Sequence, residues 1–246
     1  MSDLIILQNK DEVTVGLLSN EAENACPYWG DLYREDEETG AETYEFYVPA
    51  DHPEAQKILK NGFILRAGFD GKIRQFQIAQ IEEDDSGEEL SIFVFCEFSW
   101  IELIGDIIRP YSLPGTDAAS ALQFALSNSR YEPGRVDFSG TDDLEQQGYD
   151  TALKMVHDIK DTFELKPVFY VTYDNGEITG RYVDLLEERG ANRGKVIENG
   201  KDLIRSRRTF DRMSVATALI GIGRGSETGE NLTFESVVWN TANGDP

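Results

Sequence analysis

Two β-prone runs between residues 164 and 186 flank Asn175-Gly176. Both central positions of a two-residue type I′ turn need positive φ, and Asn-Gly meets that need at little steric cost. The pair therefore predicts an antiparallel hairpin and a register for it, with Tyr173 opposite Ile178, Val171 opposite Gly180 and Phe169 opposite Tyr182. In that register these side chains make one apolar face, and Tyr170, Thr172, Thr179 and Arg181 fall on the other. A second Asn-Gly, Asn199-Gly200, separates Val196-Ile197 from Leu203 and sets Glu198 against Lys201 as a cross-strand charge pair. Residues 213–223 are apolar on both faces and predict a buried strand.

Upstream, residues 4–8 and 13–18 are short apolar runs split by Asn9-Lys10-Asp11-Glu12, a first hairpin. The acidic residues 34–38 read as a solvated loop and 43–48 as a strand. Residues 53–60 predict a short helix, with Asp51 as cap and Asn61-Gly62 as stop. Runs 63–69 and 72–81 flank Asp70-Gly71, another hairpin, and the apolar phase slips along the second run, which predicts a β-bulge. Residues 90–98 alternate Leu90, Ile92, Val94, Cys96 and Phe98 against Phe93 and Phe95, a central strand. Hairpin-linked strands in such number predict a small antiparallel barrel or sandwich.

At Trp100 the pattern changes. Residues 100–108 are apolar at helical spacing and end before Pro110. Thr116-Asp117 caps a helix running to about Ser127, with Ala118, Leu122, Ala125 and Leu126 on its buried face. A short strand near 136–138 and an acidic turn follow. Residues 149–163 predict a second helix, its core stripe Tyr149, Leu153, Val156, Ile159 and Phe163. After Ile204 the chain is β again, including 232–239.

The hairpin, then Val183-Asp184-Leu185, Arg189-Gly190, Gly194-Lys195, Gly200-Lys201-Asp202 and Thr217-Ala218-Leu219 before Gly221-Ile222-Gly223, resemble in that order the prophage endopeptidase-tail family. That family comprises the tail-hub or tail-associated lysin proteins of siphophages, related to the baseplate hub of contractile tails. The resemblance implies an α+β fold: an antiparallel β-barrel or sandwich hub domain at 1–99, an inserted α/β domain at 100–204, and at 205–246 strands returning to the barrel or starting a second one. It further implies a homotrimeric tail-tip structural protein in the virion, assembled in the bacterial host cytoplasm. Its implied partners are the distal tail protein ring, the tape-measure protein and receptor-binding or baseplate proteins, with DNA passing through the channel without specific binding. Hub proteins of the family are generally longer, so a fragment or a short version is expected.

A net charge of −23 argues against direct nucleic-acid binding, which needs clustered Lys and Arg, and otherwise serves solubility or an acidic channel wall that DNA does not adhere to. The start, Met1-Ser2-Asp3 then Leu4-Ile5-Ile6-Leu7, lacks a signal peptide's pattern, and no apolar run is long enough for a membrane span. The family label invites a peptidase, yet the motifs for one are missing. His52 and His157 belong to no HExxH helix; His52 reads as a turn residue, and His157 with Asp161 as a solvated face. Cys26 and Cys96 read as two lone thiols, with no Cys-His nucleophile pair and no Gly-x-Ser-x-Gly elbow. The glycines of 221–225 lack the Lys-Ser/Thr of a phosphate loop and read as a bulge or strand crossing. The acidic residues 82–89 read as a hairpin, with a weak calcium site as the alternative. Arg205, Arg207, Arg208 and Arg212 form the one concentrated basic run and read as pairing with acidic groups. No catalytic, cofactor or metal residues are assigned, and the expected function is structural. The alternatives are a cell-wall peptidoglycan endopeptidase and a carbohydrate-binding module using Trp29, Trp100 or Trp239.

Overall fold

The computed structural model describes residues 3–36, 38–58, 62–85, 90–190, 194 and 196, and the backbone of four short strands further on. The chain divides into two compact units, Met1–Ala191 and Asn192–Pro246.

The first unit opens with the predicted hairpin, β1 (Ile5–Gln8) and β2 (Thr14–Leu18), with Ile5 opposite Leu18. β3 (Trp29–Glu35) and β4 (Glu42–Pro49) follow, then β5 (Phe63–Ala67), the thirteen-residue β6 (Ile73–Asp85) and β7 (Leu90–Phe98). Next come β8 (Ile107–Ile108), β9 (Tyr111–Asp117), helix α1 (Ala118–Ala125), β10 (Glu132–Val136), β11 (Thr141–Gln146) and β12 (Asp150–Thr151). Helix α2 (Ala152–Thr162) leads into the long hairpin β13 (Lys166–Asp174) and β14 (Glu177–Leu186).

One mixed sheet carries most of these strands in the order β10-β14-β13-β6-β5-β1-β2, while β7, β4 and β3 branch from β6. The α+β class holds, but among the described residues the sheet does not close into the expected barrel; it is open and forked. The fork lies at β6. One edge pairs with β5, but the other is divided between β13 at Ile73 and β7 from Phe76 onward. From that edge one branch runs through β13 and β14 to β10 and the other through β7 and β4 to β3; β3 is not paired with β2, the terminus beyond β5 and β1, among the described residues. A bulge between Ile78 and Gln80 bends β6 where the slipped apolar phase predicts one. Small sheets β9–β11 and β8–β12 flank the helices.

Two apolar cores lie along this sheet. The first includes Ile5, Leu7, Tyr44, Phe46, Ile64, Phe76, Ile78, Val94 and Cys96. In the second, helix residues Leu122, Met155, Val156 and Ile159 pack on Phe169, Val183 and Leu185 of the hairpin. Trp100 belongs to the second, its ring stacked between Phe98 (3.9 Å) and Phe169 (4.2 Å). Glu12, at a left-handed φ of 62°, reaches from the β1–β2 turn to Arg130 (3.0 Å) and Arg181 (2.6 Å) and so ties the first hairpin to the second core.

Several local expectations change. Residues 34 and 35 end a strand rather than lie in a loop, because β3 pairs with β4 through to Glu35 and Glu42. The helix expected at 53–60 is one 3-10 turn, Ala55–Lys57, capped by Glu54 with no side-chain hydrogen bond rather than by Asp51. The helical spacing after Trp100 yields a 3-10 turn, Ser99–Ile104, and then β8. The acidic turn after residue 138 is strand β11, paired with β9. Asp117 does cap α1, accepting from Ser120 N at 2.9 Å. α2 starts at Ala152 because Thr151 caps it, which leaves Tyr149 72% exposed and outside the core stripe.

The Asn175-Gly176 turn has φ of 50° and 91°, as a type I′ turn requires. Tyr173 does face Ile178, but a bulge between Thr172 and Tyr173 shifts the rest by one, so Thr172 faces Gly180, Tyr170 faces Tyr182 and Phe169 faces Val183. Phe169 and Val171 still point to the core, while Tyr182 moves to the outer face beside Tyr170 (5.4 Å between centroids).

In the second unit, β15 (Ala218–Leu219) pairs with β18 (Val237–Val238) and β16 (Ile222–Gly223) with β17 (Leu232–Thr233). The single strand expected over 213–223 therefore includes two short ones. The Asn199-Gly200 hairpin, the basic run at 205–212, Trp239 and residues 86–89 of the acidic hairpin lie outside the described residues.

Candidate functional site

The outer face of β13 and β14, away from the helices, forms the floor of an open cleft of ≈520 Å³. Period-2 alternation puts Val168, Asp184 and Leu186 on that face, while Val183 and Leu185 serve the core. The walls come from the β5–β6 turn (Phe69, Asp70, Lys72), from Arg135 of β10, from Glu35 at the end of β3 and from residues 188–190 after β14. Gly71, at φ 81°, closes the turn that brings Asp70 and Lys72 to the cleft.

Charge organises this floor. Asp184 is buried; Lys72 Nζ is paired to its Oδ2, and Arg135 N donates to its Oδ1 at 2.7 Å. Lys72 also lies over the Tyr170 ring, 3.9 Å from the centroid, a cation–π contact. Deeper, the buried Arg74 donates from Nε to Glu42 Oε1 (2.8 Å) and from a terminal nitrogen to Asp70 Oδ2 (3.0 Å). Arg189 pairs with Glu35. Burial pushes the Glu42 carboxyl up to about 7, against the pull of Arg74, and Glu35 adds to the rise. Asp70 stays below the usual carboxylate range: burial raises it, but Arg74 and the Lys72 N–H outweigh that.

The floor is thus composed of cations and carboxylates that satisfy one another. Among the described carboxylates of the floor Glu42 has the raised proton affinity, and it is shielded behind Arg74. Among the described residues no group of three or more His, Cys, Asp or Glu is placed to hold a metal.

The remaining candidates are dispersed. His52 Nδ1 accepts from Glu54 N (3.1 Å) in the turn before the 3-10 segment. His157 lies 6.4 Å from the Trp100 ring, and burial lowers its proton affinity. Asp161 pairs instead with Lys160. Cys26 and Cys96 are free and buried, Cys26 pushed up to about 11 chiefly by burial. Trp29 is 44% exposed on edge strand β3 and stacks on Tyr47, which in turn contacts Phe93 (5.0 Å). That row crosses β3, β4 and β7 on the outer side of the sheet. Sequence reasoning missed the cleft, which brings together pairs as distant as Glu35 and Arg189, 154 positions apart.

No protein-family model matches the chain, and no curated protein does. Among solved structures it is similar to a tail protein from Neisseria meningitidis (9% identity, 75% of this chain, TM-score 0.48). It is also similar to the tail protein of prophage MuSo2 from Shewanella oneidensis (10% identity, 96% of this chain, TM-score 0.48). A third is a prophage tail protein from Listeria monocytogenes (16% identity, 99% of this chain, TM-score 0.46). The chain spans 50% of the Neisseria protein, 63% of the Shewanella protein and 69% of the Listeria protein.

Proposed function

We propose that the chain is a structural component of the tail tip of a tailed phage or prophage, a hub that forms a ring closing the tail tube and carries host-recognition or lytic modules. The observation that carries this reading is the ordered series from the Asn175-Gly176 hairpin through Asp184, Arg189-Gly190 and Gly200-Lys201-Asp202 to Gly221-Ile222-Gly223. The cleft supports it too, since its charged groups are engaged in internal pairs and serve to hold shape. In this reading residues 1–99 are the tube-type domain, 100–204 the insert and 205–246 the return strands. The ring is a homotrimer docked on the distal tail protein ring and contacting the tape-measure and baseplate proteins. Edge strand β3, with Trp29 and Leu32 exposed, is a surface from which the forked sheet extends toward a neighbour. Mass measurement and negative-stain imaging with the distal tail protein test the reading. A ring of three copies is expected. A monomer that ignores the partner overturns it, as does release of peptides when the chain is incubated with peptidoglycan.

A further inference from the structure

Glu35 and Glu42 are direct partners in the β3–β4 register. Around them the described charged groups of the cleft are Asp70, Asp184 and Glu188 on the acidic side and Lys72, Arg74, Arg135 and Arg189 on the basic side. Arg135 is engaged with Asp137. With Glu188 exposed and Arg135 so paired, four carboxylates (Glu35, Glu42, Asp70 and Asp184) face three cations where side chains are largely withdrawn from water, and an uncompensated buried charge is costly. The Tyr33 hydroxyl, buried without a hydrogen-bond partner, adds no positive charge.

We propose that Glu42 holds a proton against its strand partner Glu35, and that this proton latches the segment leaving β14 onto the end of β3. With the proton in place, Glu42 donates to Glu35 and remains the acceptor of Arg74. Glu35 is then held in position to bind Arg189, which fixes residues 187–190 against β3. Without it, two adjacent carboxylates share one strand pair and repel. Glu35, the less buried of the two with a side chain 18% exposed, swings toward water and releases Arg189. The raised proton affinity of Glu42 places the change near neutral pH. Residues 187–190 are the last described residues of the first compact unit before Ala191. This inference stands on the cleft geometry and is independent of the tail-tip reading.

Hydrogen exchange of the full chain, corrected for intrinsic rates, tests it at pH 5.5 and 8.5. Protection over residues 186–190 is expected to fall about tenfold at the higher pH, while α2 stays unchanged. Glu42→Gln should keep the high protection at both values, and Arg189→Gln should show the low protection at both. Equal wild-type protection at the two pH values overturns the proposal, and so does a Glu42→Gln chain that keeps the drop. Carboxyl carbon-13 titration of the wild type requires no variant: a Glu42 midpoint near neutrality supports the latch, and one below pH 5 refutes it.

Discussion

Gly134 of β10 faces the buried Asp184 so closely that a Cβ would overlap Asp184 Oδ1 and come within 3.2 Å of the Tyr170 hydroxyl. Its φ is not in the left-handed region, so Gly134→Ala adds no backbone strain, and on chain entropy alone it would stabilise by about 0.4–1 kcal/mol. The overlap reverses that sign. Asp184 must move, losing the hydrogen bond from Arg135 N (2.7 Å) and loosening Lys72. A hydrogen bond to a charged group is worth about 1.5–3 kcal/mol, and the Lys72 contribution is discounted because that side chain is one-third exposed and regains water. The expected loss is about 3 kcal/mol, or roughly 6–12 °C in Tm for a unit of this size. Asp184→Ala alone leaves the Arg135 N–H without its acceptor and should cost about 2 kcal/mol. The double variant removes the collision with the carboxylate, so its cost should stay near 2 rather than reach 5 kcal/mol. Urea unfolding at constant m-value measures all three. Additivity within about 0.5 kcal/mol would show that the two positions do not collide and refute the reasoning.

Glu42 supplies a pH prediction. Its folded pKa, about 7, lies above its ordinary value of 4.5, so the folded state keeps a proton that the unfolded chain has released. Its contribution to stability is therefore complete below about pH 4.5 and is lost as pH rises to about 7, some 3 kcal/mol in all. The difference between wild type and Glu42→Gln in chemical denaturation should follow that slope, and a flat difference would contradict it. Glu12→Ala leaves the buried Arg181 without its carboxylate and should cost about 3 kcal/mol by the same assay, while Glu21→Ala, an exposed control, costs under about 0.5. Trp100→Ala should cost about 3–5 kcal/mol, and iodide should quench Trp29 emission much more than that of Trp100. Cys26 and Cys96 should resist a thiol reagent in the folded chain and both react in denaturant; rapid native labelling of Cys96 would refute its place in the core.

The parts legible in the sequence were those decided locally. Asn175-Gly176 makes its turn because two φ angles demand it, and Asp117 caps α1 because its carboxylate reaches Ser120 N. The hairpin register was not legible beyond Tyr173. Tyr182 lies across Gly180, whose missing Cβ leaves room for the ring, and the one-residue bulge follows from that packing rather than from alternation. β9 and β11 were missed because Tyr111–Asp117 contains Pro114-Gly115 and Thr141–Gln146 is mostly acidic; pairing between them, not side-chain pattern, makes them strands. The barrel expectation missed β3 and had no means of seeing that β6 serves three partners. Nor could any local window join Glu35, Lys72, Arg135 and Asp184 into one cleft.

The thirteen residues of β6 pair at length with β5 and β7 and, at Ile73, with β13, so the first unit has a common beam. Tension applied where the polypeptide exits β14 runs through β13 into that beam at Val171 and Ile73 and spreads to both branches. Pulled at that point, the unit should resist as a single mechanical body until the long ladder yields.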